Sequence, residues 1–126
     1  MTDILLIDDS EIMLRHIENL LVQAGYEVVT ASNMAGGLES YLKYKPLAVL
    51  TDFILEGGHT GLGLLGAIFS ISQNGSGKIR TAILTTGTLK AEDASRAARQ
   101  GTQLVQKPVL GEEEAFLRVV AAWLER

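Results

Sequence analysis

Short apolar runs alternate with stretches of helical spacing along the whole chain. Residues 4–7 (Ile4-Leu5-Leu6-Ile7), 26–31 around Val28 and Val29, 47–53, 81–84 and 103–106 read as strands, the third nearly continuous in apolar character. Between them the spacing predicts five helices. The first starts after Ser10 as N-cap, carries Ile12, Met13, Ile17, Leu20, Leu21 and Ala24, and stops at Gly25. Ser32 or Asn33 caps a second that runs to about Tyr44, where Pro46 closes it. The third covers 61–72 on Leu62, Leu64, Leu65, Ile68 and Phe69, weakened by its glycines, and Asn74-Gly75-Ser76-Gly77 follows as a loop. A fourth spans 91–100 and ends at Gly101. The fifth, 112–125, is acidic in its first turn and striped by Phe116, Leu117, Val120 and Leu124. This (βα)5 alternation predicts a parallel five-stranded sheet covered on both faces, with right-handed crossovers.

The strand ends carry the chemistry. Ile7 runs into Asp8-Asp9, Thr51 into Asp52, Leu84 into Thr85-Thr86-Gly87, and Gln106 into Lys107-Pro108. In a parallel sheet these ends share one edge, where ligands of such folds bind. An ionised Asp at the end of an apolar strand is costly unless cations or hydrogen bonds meet it. Asp8-Asp9-Ser10 alone reads equally as an acidic turn capping the first helix. With Asp52 and Lys107 at the same edge, a hard cation among carboxylates becomes the better reading, and Mg2+ suits it because it keeps waters and takes few protein oxygens.

Composition narrows the classes. The 126 residues suit a single domain with one well-buried core, and no linker, repeat or low-complexity tract divides them. A hydrophobic content of 47% and a mean hydropathy of +0.20 speak against a disordered chain. The net charge of -4 argues against nucleic acid as the main partner. Without cysteine, disulfide, zinc-thiolate and thiol chemistry are excluded. No apolar run is long enough to span a membrane and no basic leader opens the chain, so a cytoplasmic location is expected.

Four motifs in this order and spacing have a counterpart: the Asp8-Asp9 pair, the strand ending at Asp52, the strand ending at Thr86-Gly87, and Lys107-Pro108. Through them the chain resembles the receiver domain of two-component response regulators over essentially its whole length. The resemblance implies a flavodoxin-like doubly wound sheet in the order 2-1-3-4-5. It implies that Asp52 accepts a phosphoryl group. Mg2+ would sit on Asp9, Asp52 and the carbonyl of Ile54, with Asp8 acting through water. Lys107 would pair with Asp52 or phosphoryl oxygens, Thr86 would donate its hydroxyl with Thr85 as the open alternative, and Gly87 and Phe53 would complete the binding pocket. A cis peptide before Pro108 would aim Lys107 into the site. The implied partners are a histidine kinase or histidine phosphotransfer protein and a downstream target protein, for a monomer or weak homodimer. Such a domain is not a dedicated enzyme; it catalyses its own phosphorylation and slow dephosphorylation.

Several features depart from the pattern. The loop after Asp52 has Glu56 where the family usually has Pro, and reaches its Gly at Gly61, one residue late. One residue fewer separates Gly101 from Lys107, and Leu104 stands where many members carry a switching aromatic. In the family, residues two past the acceptor and two past the switch Thr flank the path of the hydrolytic water. Here these are Ile54 and Thr88, an apolar and a short side chain, so slow loss of the phosphoryl group is expected.

Other motifs carry less. Gly61-Leu62-Gly63-Leu64-Leu65-Gly66 matches GxGxxG but lies too far past its strand and lacks the acidic residue of a dinucleotide site. Gly75-Ser76-Gly77-Lys78 lacks the first Gly and final Ser/Thr of a P-loop. His16 reads as a helix-boundary residue, His59 as solvent-facing and Trp123 as packing. A haloacid-dehalogenase-like phosphatase would need Asp-x-Asp at its strand end, which neither Asp52-Phe53-Ile54 nor Asp8-Asp9-Ser10 supplies. A non-phosphorylatable adaptor would lack the acid cluster. A receiver cut from a larger regulator is the remaining alternative.

Overall fold

The computed structural model describes residues 1–72 and 79–125; the expected loop at 74–77 and the rejected P-loop stretch lie outside the described residues. Five parallel strands form one sheet in the order β2-β1-β3-β4-β5: β1 Ile4–Ile7, β2 Val28–Ala31, β3 Ala48–Asp52, β4 Arg80–Thr85 and β5 Gln103–Gln106. Five helices connect and cover them: α1 Glu11–Gln23, α2 Met34–Tyr44, α3 Gly61–Ser72, α4 Ala91–Arg99 and α5 Glu113–Glu125. The expected class and strand order are both met.

The sheet divides the core in two, because alternate side chains of each strand point to opposite faces. Ile4, Leu6, Ala48, Leu50, Ala82 and Leu84 face α1 and α5. Leu5, Ile7, Val49 and Ile83 face α3 and its neighbours. β1 and β3 are sealed on both faces, which accounts for their nearly unbroken apolar sequence.

Local signals mostly hold. Ser10 caps α1 by accepting the Met13 N–H at 3.4 Å, and Asn33, not Ser32, caps α2 through the Gly36 N–H at 2.7 Å. On α1 the buried stripe is Leu14, Ile17 and Leu21, whereas Ile12 is 85% exposed. Ile12 falls off the i, i+3, i+7 line that meets the sheet, so it lies on the helix but not in the core. Trp123 packs into the core beside Phe116 and Val120. Among the described residues, no helix is long and apolar enough to cross a membrane.

Candidate functional site

Asp52 ends β3 between β1 and β4, at the carboxyl edge of the sheet. Its Oδ1 accepts the Phe53 N–H at 2.9 Å, and its Oδ2 lies 3.2 Å from Lys107 Nζ. Lys107 Nζ is also 3.2 Å from Asp8 Oδ2. One ammonium therefore bridges two carboxylates from neighbouring strands. Asp8 is fully buried; its Oδ1 accepts the Ser10 N–H at 2.9 Å, but Oδ2 has no aligned hydrogen-bond donor, so its contact with Lys107 is electrostatic only. Burial raises the Asp52 carboxyl above its ordinary value, the Asp8 charge raises it further, and Lys107 pulls it back part of the way.

Asp8, Asp9 and Asp52 each offer an oxygen within 4.8 Å of the others. Around an octahedral Mg2+ with oxygens at about 2.1 Å, opposite ligands stand roughly 4.2 Å apart. The triad fits such an ion after a small contraction or with a water in one position, and the unsatisfied Asp8 Oδ2 is the kind of buried acceptor that a cation or its water would meet.

The backbone after Asp52 explains how the extra loop residue is absorbed. A 3-10 turn at Glu56–Gly58 puts Gly57 and Gly58 at positive φ, and the chain then returns antiparallel, with Ile54 bridged to Thr60 and the Leu55 N–H donating to His59 O. Gly61 follows, its N–H on Phe53 O at 2.7 Å. A Cβ there would stand 2.2 Å from the Asp52 carbonyl oxygen and 2.9 Å from Ile83 Cδ1. The first Gly of the GxGxxG match is thus demanded by close approach to the strand end carrying Asp52, not by a dinucleotide.

Strand register places the threonines. Asp52 pairs with Leu84, which lies in the same core layer as Leu50. Two residues on, Thr86 continues the Asp52 side of the sheet and is exposed, while Thr85 continues the Ile83 side and is buried. Register therefore points to Thr86. Gly87 is exposed, and a Cβ there would meet nothing within 4 Å, so its openness is not forced by packing.

The expected cis peptide before Pro108 is absent; among the described residues every peptide bond is trans. The Lys107 N–H donates to Thr85 O at 2.8 Å, which carries the pairing of β5 with β4 as far as Lys107, whose side chain reaches Asp52.

A cleft of about 520 Å³ opens over Asp52 and Lys107, walled by Phe53, Ile54 and the 84–90 segment, with Asp93 on α4. Ile54 and Thr88, singled out in sequence, both line it. Lys90 and Asp93 were not foreseen. Their signal was present only as the start of a helix following a strand that ends at the site. His16 does not join the cluster: it faces Glu113 at 3.9 Å on the α1–α5 side. His59 is exposed, as expected.

Comparison with known proteins agrees with this fold. No curated protein sequence matches the chain. The chain superposes on the chemotaxis response regulator CheY4 of Vibrio cholerae with a TM-score of 0.82 at 25% identity, covering 98% of each chain. It superposes on the receiver domain of NtrX from Brucella abortus at 0.80 and 26% identity, again over 98% of each. In NtrX from the same organism in complex with ATP, the match covers 98% of this chain and 27% of that one, at 26% identity and a TM-score of 0.80. The family model for the response regulator receiver domain matches residues 4–119, so the chain belongs to the response regulator receiver family.

Proposed function

We propose that Asp52 accepts a phosphoryl group from the phosphohistidine of a histidine kinase or histidine phosphotransfer protein. The observation that carries the reading is the Lys107 ammonium held 3.2 Å from both Asp52 and Asp8 beneath an open cleft. A carboxylate oxygen of Asp52 forms the new P–O bond. The P–N bond breaks, its electron pair leaves with the imidazole, and that ring is protonated by solvent. Lys107 stays beside Asp52 to face the phosphoryl oxygens, and the Thr86 hydroxyl donates to one of them. Asp8, Asp9, Asp52 and the Ile54 carbonyl would hold Mg2+, which supplies neutralisation of the charge spread over the transferring group. Phe53 and Gly87 shape the pocket around that group. The new charge then alters the surface presented to a downstream target protein in the cytoplasm. The long chain of NtrX supports a second reading, in which the same receiver is one part of a longer regulator.

Incubation with acetyl phosphate and Mg2+ is expected to add one phosphate by intact mass, and Asp52→Ala to remove that addition. Equal labelling of the Ala variant would overturn the assignment. Asp9→Asn should weaken Mg2+ binding followed by NMR; undiminished affinity would remove Asp9 from the ligand set.

A further inference from the structure

We infer that Lys90, at the mouth of the cleft, is a specificity-determining residue for the phosphodonor and favours donors carrying two negative charges. This rests on the reading of Asp52 as acceptor. The cleft is lined by four charged side chains, Asp52, Lys107, Lys90 and Asp93. The first two face each other, and Lys107 is shared with buried Asp8. Lys90 is different. It is exposed, it sits at the N-cap of α4, and among the described residues it takes part in no ion pair.

The charges explain what a cation there would do. Three carboxylates at the strand ends would be balanced by Lys107 together with a divalent ion once one is bound. Asp93, half-buried on the wall of the cleft, would leave the mouth negative. A phosphoryl donor with two negative charges would then be repelled on approach. Lys90 restores neutrality at the mouth without engaging Asp52, so its charge remains available to an incoming anion. Because the cleft is open to water, the effect is long-range and screenable, and its size is that of charges several ångströms apart in a high dielectric. It acts on capture of the donor, before any bond changes. Asp93 opposes it with the other sign.

The test compares acetyl phosphate, doubly charged, with phosphoramidate, which carries one net negative charge, each with Mg2+ and followed by intact mass. At low salt Lys90→Gln should slow labelling by acetyl phosphate by about three- to fivefold and labelling by phosphoramidate by less. Asp93→Asn should speed the acetyl phosphate reaction. Lys90→Arg should restore the wild-type rate, and about 0.5 M salt should bring Lys90→Gln close to wild type. Equal rates for wild type and Lys90→Gln at low salt would overturn the inference. So would a deficit that persists at high salt or is the same for both donors, since a packing role would produce it. If wild type takes no phosphate from either donor, the acceptor reading itself fails and this inference with it. If wild type is labelled and only the charge dependence is missing, the acceptor reading stands and the role of Lys90 falls.

Discussion

β3 is paired along both edges, with β1 on one side and β4 on the other, and four of its five residues are buried. β5 pairs with β4 alone, and only Val105 of its four residues is buried. Each strand hands one member of the Asp52–Lys107 pair to the site. The carboxylate thus stands on a strand fixed by backbone bonds on both sides and by two core layers. The ammonium hangs from an edge strand that is half open to water, its hold strengthened by the Lys107 N–H on Thr85 O. Leu104 on that strand is 40% exposed.

The difference can be measured by truncation. Leu50 on β3 is fully buried, so Leu50→Ala should cost about 3 kcal/mol by denaturant unfolding. Leu104→Ala on β5 should cost less than about 1 kcal/mol, as surface substitutions do. Equal costs would show that the edge strand is held as firmly as the central one.

A smaller effect concerns the lifetime of the phosphorylated state. Ile54 and Thr88 line the cleft from β3's loop and from the segment after β4, one apolar and the other short. Ile54→Asn combined with Thr88→Glu should speed dephosphorylation of the isolated protein by about tenfold, equivalent to about 1.4 kcal/mol of barrier. An unchanged or slower decay, followed by intact mass in Mg2+, would assign the lifetime to the loop backbone instead.

The smallest effect is on stability against pH. Burial and the Asp8 charge raise the Asp52 carboxyl in the fold above its unfolded value, so the folded state prefers the protonated form. The stability this preference contributes is full below the unfolded range, near pH 4, and is lost as pH rises through the raised folded value. At neutral pH the ionised group is therefore a burden. Asp52→Asn should raise stability at pH 7 without metal, read as a higher Tm. The gain should shrink on acidification and when Mg2+ is added to wild type. A less stable Asn variant at pH 7 would mean that the Lys107 ion pair outweighs burial.

Much of this was legible in sequence because the relevant residues sit at ends of periodic segments. Asp8 and Asp52 each close an apolar run and Lys107 closes the half-polar run Gln103–Gln106, and a parallel sheet brings such ends together. The same logic located the β4 threonines, and both Thr85 and Thr86 line the cleft. What sequence could not give was side-chain direction on helices and approach between segments far apart in the chain. Ile12 fits a helical period yet points to water. The GxGxxG match is set aside on sequence alone, but the reason for Gly61 is seen only in its close approach to the Asp52 carbonyl. Lys90 and Asp93 join the site only because α4 starts beside the cleft. The cis peptide came from family resemblance, and among the described residues the structure has none.

The central claim is that the rigid member of the pair, Asp52, carries the phosphoryl group. Reductive trapping of the acyl phosphate with borohydride, followed by peptide sequencing by mass spectrometry, reads the labelled residue directly. The account predicts homoserine in place of Asp at position 52 and at no other position. Reduction at Asp8 or Asp9, or a phosphate retained on His16 or His59 with Asp52 intact, would contradict it.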